Sequence, residues 1–475
     1  MKRRFFIKTS ALAAAGMVAS RYSFAGTGSD TTFPSVRVAT EKRKFTSKAV
    51  EKLIAEVSKN IGNKELAWMF GNCFPNTLDT TVDHTTTNGR PDTYVITGDI
   101  DAMWLRDSSA QVWPYLPLCK EDRELQMLIL GVINRQVKCI LKDPYANAFY
   151  KDETKISEWK NDDTAMQPGI HERKWEIDSL CYTIRLAHAY WKETGDASFM
   201  DDNWKAAMSL VVQTFKTQQR MEGKGPYRFM RSSPYATDSI PMNGYGYPVK
   251  PNGLICSMFR PSDDATVYAY LIPSNMFAVV SLQQMAEMMK EADVTADTSV
   301  IYALAAQVEE ALLKAATVKT DRYTNIYAYE VNGYGSSNLM DDANVPSLLS
   351  LPYLLGDSKL LDKPTYTNTR KYVLSENNPF FFKGTAGEGI GGPHVGMDMI
   401  WPISIIMRGL TSNDDKEIKM CLDTLQHTHA GTGFMHESFN KDDASKYSRA
   451  WFAWANTLFG EFIWKVYRER PKLLD

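Results

Sequence analysis

The chain has 475 residues, 44% of them apolar, which is enough for a large buried core. Its 54 Lys and Arg are balanced by 56 Asp and Glu, a formal net charge of −2. That balance argues against a nucleic-acid partner, since a phosphate backbone is met by clustered Lys and Arg.

The chain opens with a basic start (Lys2, Arg3, Arg4, Lys8) followed by a short run of Ala, Leu, Met and Val. This pattern predicts an export signal over residues 1–25, cut after Ser23-Phe24-Ala25. Arg3-Arg4 with Phe6, Ile7 and Lys8 is similar to the twin-arginine signal, and the expected location is the periplasm. Its removal takes away five basic residues and no acidic ones, so the charge moves from −2 to −7. No later run approaches the roughly 18 apolar residues of a membrane span.

Six cysteines (Cys73, Cys119, Cys139, Cys181, Cys256, Cys421) lie far apart without a CxxC pair. They show neither a zinc knuckle nor a disulfide framework, although an exported chain leaves one or two bridges open. Cys139 and Cys181 sit in apolar helical patterns and read as buried thiols.

Beyond the signal, two kinds of helical segment alternate. Segments with one charged face are predicted at 45–60, 121–140, 198–219, 297–316, 358–373 and 413–427. Between them, loops rich in Gly, Pro, Asp or Asn run into segments apolar on nearly every side, near 101, 174, 273, 341, 394 and 447. A helix apolar all round belongs in an interior, and an amphipathic one covers it. Six of each predict an all-α (α/α)6 toroid, an inner ring wrapped by an outer one, as a single domain over 26–475. An α-solenoid is the competing architecture, but spacings of about 50 to 100 residues are too uneven for short-repeat arrays. Strand signals are confined to "RYTNIYAYEVNGYG", read as a hairpin or ordered loop.

In such a ring the loops entering the inner helices converge on one end, and they carry the unusual polar residues. The first holds Asp99, Asp101, Trp104, Arg106 and Asp107. Paired ionic groups beside an indole suit a sugar, whose hydroxyls take the charges and whose C–H face packs on the ring. The second, "HERKWEIDSLCY", holds Glu176 and Asp178, which point about 200° apart on a helix. Asp178 shares a face with Trp175, Cys181 and Tyr182, where desolvation would keep a carboxyl protonated, while the helix N-terminus favours the ion. Periodicity alone leaves both candidates open.

Later loops hold Arg260 with Asp263 and Asp264, then Asp341, Asp342 and Asn344, then Glu388, His394 and Asp398. Each is suited to binding hydroxyls or to capping the next helix. The last loop places Glu437 between His436 and Ser438, where a carboxylate is placed to activate water. His427, His429 and His436 raise a metal reading, but no metalloenzyme carboxylate motif accompanies them, so neither a metal nor a cofactor is expected.

Five stretches in order, "TGDIDAMWLRDSSAQVWPYL", "WEIDSLCYTIRLAHAYWKETGD", "DDANVPSLLSLPYL", "GIGGPHVGMDMIWPISI" and "GFMHESFNKDDASKYSRAWFAWANTLFGE", resemble glycoside hydrolase family 125 over roughly residues 40–470. The resemblance implies a metal-independent, inverting exo-α-1,6-mannosidase that removes terminal mannose from oligosaccharides or glycans. It also implies that Asp178 is the general acid and Glu437 the general base. Where the family carries proline after "DSLCY", this chain has Thr183. "WLRDS" is also similar to a motif of inverting glucan hydrolases, in which the Arg-Asp pair grips the terminal sugar. The sugar-binding set expected here is Asp101, Trp104, Arg106, Asp107, Arg260, Asp342, Asn344, His394 and His436. Competing readings are a glycosidase or phosphorylase of the same toroid acting on another α-linked sugar, and a non-catalytic periplasmic glycan-binding protein.

Overall fold

The computed structural model describes residues 33–475 apart from Val294; the expected export signal lies outside the described residues. Fourteen α-helices follow in chain order. They are α1 (Lys48–Asn60), α2 (Lys64–Cys73), α3 (Asn76–Thr80), α4 (Leu105–Val112), α5 (Arg123–Lys142), α6 (Ile177–Thr194) and α7 (Asp202–Gln218). After these come α8 (Ile272–Ala292), α9 (Ser299–Ala315), α10 (Leu351–Leu355), α11 (Lys363–Val373), α12 (Pro402–Leu410), α13 (Asp415–Thr428) and α14 (Ala453–Glu469).

Inner helices follow one another in space: α12 packs on α14, α14 on α4, α4 on α6, α6 on α8 and α8 on α10. Outer helices lie against them, with α5 on α6, α9 on α8 and α13 on α12. Helix α2 also packs on α14, so helices from the two ends of the described residues meet. The composition of each helix explains its layer. In α8, residues from Ile272 to Val279 are buried without interruption, whereas α1 buries only Ala49, Val50, Leu53 and Val57 on one face. A single apolar core extends from Ala49 to Leu474. All six cysteines are buried and unpaired.

The inner helices are entered from short strands. Met103–Trp104 leads into α4 and joins Ala148–Phe149 and Ile170–Glu172 in one small sheet. Tyr270–Leu271 leads into α8 and pairs with Glu330–Val331, which also pairs with Ser337–Asn338. Met399–Ile400 leads into α12 and pairs with Ser438–Asn440, which in turn pairs with Asp443–Ser448. These sheets fix where the loop residues stand relative to the helix entrances.

Strand structure therefore exceeds the expectation, which confined it to "RYTNIYAYEVNGYG". The longest addition is a hairpin, Val82–Thr87 against Arg90–Val95. Its two-residue turn, Asn88-Gly89, has φ of 51° and 76°, the left-handed pair that matches strand twist. The fourth inner segment is also shorter than its apolar pattern suggests. Pro346 and Pro352 restrict it to the single turn of α10, and buried Asp341 accepts from the N–H groups of Leu348 and Leu349 at 2.8 and 3.0 Å.

Candidate active site

A cavity of about 1140 Å³ opens at the end of the ring where the inner helices begin. Its wall includes Trp104 and Arg106 at the start of α4, Trp401 before α12, and Phe452 and Trp454 at the start of α14. None of the six inner helices takes a side-chain hydrogen bond from its N-cap residue. Outer helices α1, α5, α7, α11 and α13 all do, from Ser47, Asp122, Asp201, Asp362 and Asp414. Capping thus explains the polar loops of the outer ring and fails to explain those of the inner one.

The inner-loop charges gather on Arg106. Its Nη1 donates to Glu176 Oε2 at 2.6 Å and to Asp178 Oδ2 at 3.0 Å, and its Nη2 donates to Asp263 Oδ1 at 3.2 Å. Asp107 Oδ2 stands 3.6 Å from Nε. One guanidinium cannot neutralise four carboxyls in a buried space, so part of the set stays protonated. Burial pushes the Glu176 carboxyl well above its usual range against the pull of Arg106, with Asp263 and Asp178 adding to the rise. Burial also raises Asp178 and Asp107, again against Arg106.

The two carboxyls that periodicity could not separate share this guanidinium, but neither borders the cavity. Asp178 is wholly buried, and its Oδ1 has no hydrogen-bond partner among the described residues. Asp263 does border the cavity. It stands on the loop before α8 with φ of 65°, a left-handed backbone that costs energy in a residue other than glycine and that clusters at functional sites. Arg260 N donates to the carbonyl of Asp264 at 2.8 Å and Asp263 N to the carbonyl of Arg260 at 2.8 Å, closing the turn.

Glu437 lies at the edge of the strand Ser438–Asn440 and faces the same cavity. Ser448 Oγ donates to its Oε2 at 2.9 Å, and Arg449 Nη1 stands 3.5 Å from Oε1. Arg449 is also left-handed, with φ of 49°, and its guanidinium reaches Asp99 and the carbonyl of Thr97. The last loop is thereby tied to the first, and the direction of the Glu437 carboxylate is fixed.

Of the expected sugar-binding set, Asp101, Trp104, Arg106, Asp107, Asn344 and His394 border the cavity. Asp101 is at the exposed rim, paired with Lys155 at 2.9 Å. Three others are displaced from it, each for a visible reason. Arg260 pairs with buried Glu330 at 2.7 Å and braces the Asp263 turn. Asp342 accepts from Ser262 Oγ at 2.8 Å and from Asn344 N at 3.1 Å, and so supports the wall from behind. His436 stacks on Tyr447 at 3.7 Å, with Nδ1 2.9 Å from the carbonyl of Ala450. Burial lowers its pKa to about 4, so it packs as a neutral ring beneath the Arg449 loop.

The sequence reading also missed wall residues. Trp159 and Arg231, whose guanidinium lies 3.8 Å from the Trp159 ring, border the cavity with Tyr235 and Trp451. Trp159, Arg231 and Tyr235 come from connections with no helical period, while Trp451 lies in the stretch that also holds His436 and Glu437, the residues whose polar chemistry marks it. Thr183 sits inside α6 with its hydroxyl on the carbonyl of Leu180 at 2.7 Å, and the helix runs through it unbroken. Among the described residues no group of three His, Cys, Asp or Glu is placed to hold a metal ion.

The model of a family described as metal-independent alpha-mannosidase (GH125) matches residues 63–464. The chain belongs to glycoside hydrolase family 125. A relative from Schizosaccharomyces pombe, the meiotically up-regulated gene 157 protein, is 42% identical over 462 residues, covering 93% of this chain and 90% of its own. A solved metal-independent α-mannosidase of Streptococcus pneumoniae, in a non-productive complex with α-1,6-mannobiose, is 40% identical. It superposes with a TM-score of 0.85 over 90% of this chain and 100% of its own. A bacterial glucoamylase bound to acarbose superposes at 0.51 with 11% identity, over 88% of this chain and 59% of its own, and shows the shared fold alone. Family 125 membership makes the chain a glycoside hydrolase with an all-α toroidal fold, and sets aside a non-catalytic glycan-binding role.

Proposed function

We propose that this family 125 enzyme is an inverting exo-α-1,6-mannosidase, with Glu437 as general base and Asp263, in place of Asp178, as general acid. The observation that carries this reading is access. A general acid must come within hydrogen-bond reach of the glycosidic oxygen. Asp263 and Glu437 are buried carboxyl groups that line the cavity, whereas Asp178 is wholly buried on Arg106 and does not border it.

In this mechanism the Asp263 proton passes to the departing oxygen as the C1–O bond breaks. Glu437 takes a proton from the water that attacks C1 on the opposite face. Inversion requires the two carboxyls to stand about 6.5 to 9.5 Å apart once substrate is bound, leaving room for that water. Arg106 and Asp107 hold hydroxyls of the terminal mannose, and Trp104 supplies an apolar wall. The pneumococcal relative's α-1,6-mannobiose ligand supports the linkage. The twin-arginine-like start supports export to the periplasm.

The test is hydrolysis of α-1,2-, α-1,3- and α-1,6-mannobiose by the purified protein, each with and without EDTA. Release of mannose from the α-1,6 isomer, undiminished by EDTA, is the expected result. Preference for another linkage, or loss of activity in EDTA, would contradict the proposal.

A further inference from the structure

Glu176 has no task in that mechanism, although it is wholly buried beside the reacting groups. Asp263 is near enough to raise the proton affinity of the Glu176 carboxyl. The same donors hold both: Arg106 reaches Glu176 at 2.6 Å and Asp263 at 3.2 Å, and Asn147 Nδ2 reaches Glu176 Oε1 at 3.4 Å and Asp263 Oδ1 at 3.2 Å. Asn147 is oriented in turn by Lys174 N, which donates to its Oδ1 at 3.0 Å. Ser179 Oγ adds a bond to Glu176 Oε2 at 2.9 Å.

The charges facing the pair come from several elements. Helix α4 brings Arg106 and Asp107, and α6 brings Asp178. Lys174 Nζ donates to the carbonyl of Asp263 at 2.7 Å and stands 3.5 Å from Glu172 and 3.9 Å from Asp238. Arg231 is committed to Asp162 at 2.6 Å and to Glu172 at 2.9 Å. The cations are therefore outnumbered, and two carboxyls that share their donors in such a place do not both ionise.

We infer that Glu176 is a positioning residue that makes Asp263 a better general acid, because the two carboxyls, held by the same Arg106 and Asn147 donors, keep one proton in common through the neutral range. This inference rests on the assignment of Asp263 as the acid. In turnover the shared proton leaves on Asp263, the C1–O bond breaks with its electron pair staying on oxygen, and that oxygen becomes the hydroxyl of the departing sugar. The pair, now doubly ionised against Arg106, regains a proton from cavity water. Burial of Glu176 and its neighbouring acids already raise its proton affinity in the free enzyme.

The test compares pH profiles of kcat/KM on α-1,6-mannobiose and on α-mannosyl fluoride, whose leaving group needs no proton. Glu176→Gln removes the shared charge, so the alkaline limb on mannobiose is expected to move down by about one pH unit or more. Turnover at pH 7 then falls about tenfold or more and recovers near pH 5, while the fluoride is little affected. Glu176→Asp keeps the charge and is expected to keep the wild-type limb. An unmoved limb in Glu176→Gln, or an equal loss on both substrates, would overturn the inference. Should Glu176→Gln not fold, a uniform fall at every pH in Glu176→Asp would do the same. Asp263→Asn separates the two claims: equal loss on both substrates sinks the assignment of Asp263 and this inference with it. Selective loss there, without a limb shift in Glu176→Gln, sinks this inference alone.

Discussion

Arg106 Nη1 donates to Asp178 Oδ2 at 3.0 Å, and of the two residues only Arg106 borders the cavity. The same guanidinium holds Glu176 and Asp178, which do not border the cavity, and Asp263, which does.

Asp178→Asn and Asp263→Asn should therefore differ in kind. Asp263→Asn is expected to lower kcat/KM on α-1,6-mannobiose by about 10²- to 10⁴-fold, with a much smaller loss on α-mannosyl fluoride. Asp178→Asn is expected to affect both substrates alike, since it disturbs Arg106 and not the proton. Steady-state kinetics on the two substrates decides, and a selective loss in Asp178→Asn would return the acid to that residue.

Removing the hub itself should cost stability. Arg106→Met leaves Glu176, Asp178 and Asp263 buried without their cation, a change of about 3 to 5 kcal/mol when one partner of a buried pair is deleted. Without the cation the carboxyl pKa values, already raised by burial, rise further, so the folded variant binds more protons than the folded wild type. The loss is then largest at neutral pH and shrinks as pH falls and these carboxyls become protonated in both folded proteins. Thermal melting of both proteins at pH 7.5 and pH 5 checks the sign.

Glu437→Gln retains the Ser448 contact and removes the base. Turnover is expected to fall about 10²- to 10⁴-fold with KM little changed, and azide, which needs no deprotonation, should restore activity with an activated mannoside. Failure of azide to form a β-mannosyl azide would count against Glu437 as the base.

A different carboxylate contributes to the acid stability of the fold. Burial of Glu417 would raise its pKa, but Arg408 at 2.7 Å, Ser412 at 2.6 Å and Arg370 at 2.9 Å outweigh it and bring the value to about 2. Because the folded value is depressed, its stabilisation is fully present above the unfolded pKa of about 4.3 and is lost as pH falls through about 2. Glu417→Gln should thus lower the melting temperature at pH 7 and make progressively less difference between pH 4 and pH 2.

Much of the ring was legible because helical period is a strong signal. The outer segment expected at 121–140 is α5, Arg123–Lys142, and that expected at 413–427 is α13, Asp415–Thr428. Asn88-Gly89 carried a hairpin signal that the helical pattern overshadowed. At the site, Glu437 and Arg106 stood out because their loops are dense in unusual residues. Asp263 was named only among residues suited to binding or capping, because its role depends on which carboxyl faces open space. Asp178 and Asp263 are 85 residues apart in the chain yet meet on one guanidinium, and no local pattern tells which of them stands in front.

The most direct measurement is a proton NMR time course of α-1,6-mannobiose hydrolysis with EDTA present, following the anomeric signals of the first mannose released. β-Mannose appearing first, and the α anomer only as mutarotation proceeds, is the expected result. α-Mannose appearing first, or no hydrolysis of this linkage, would contradict a single displacement by water at the Asp263 and Glu437 site.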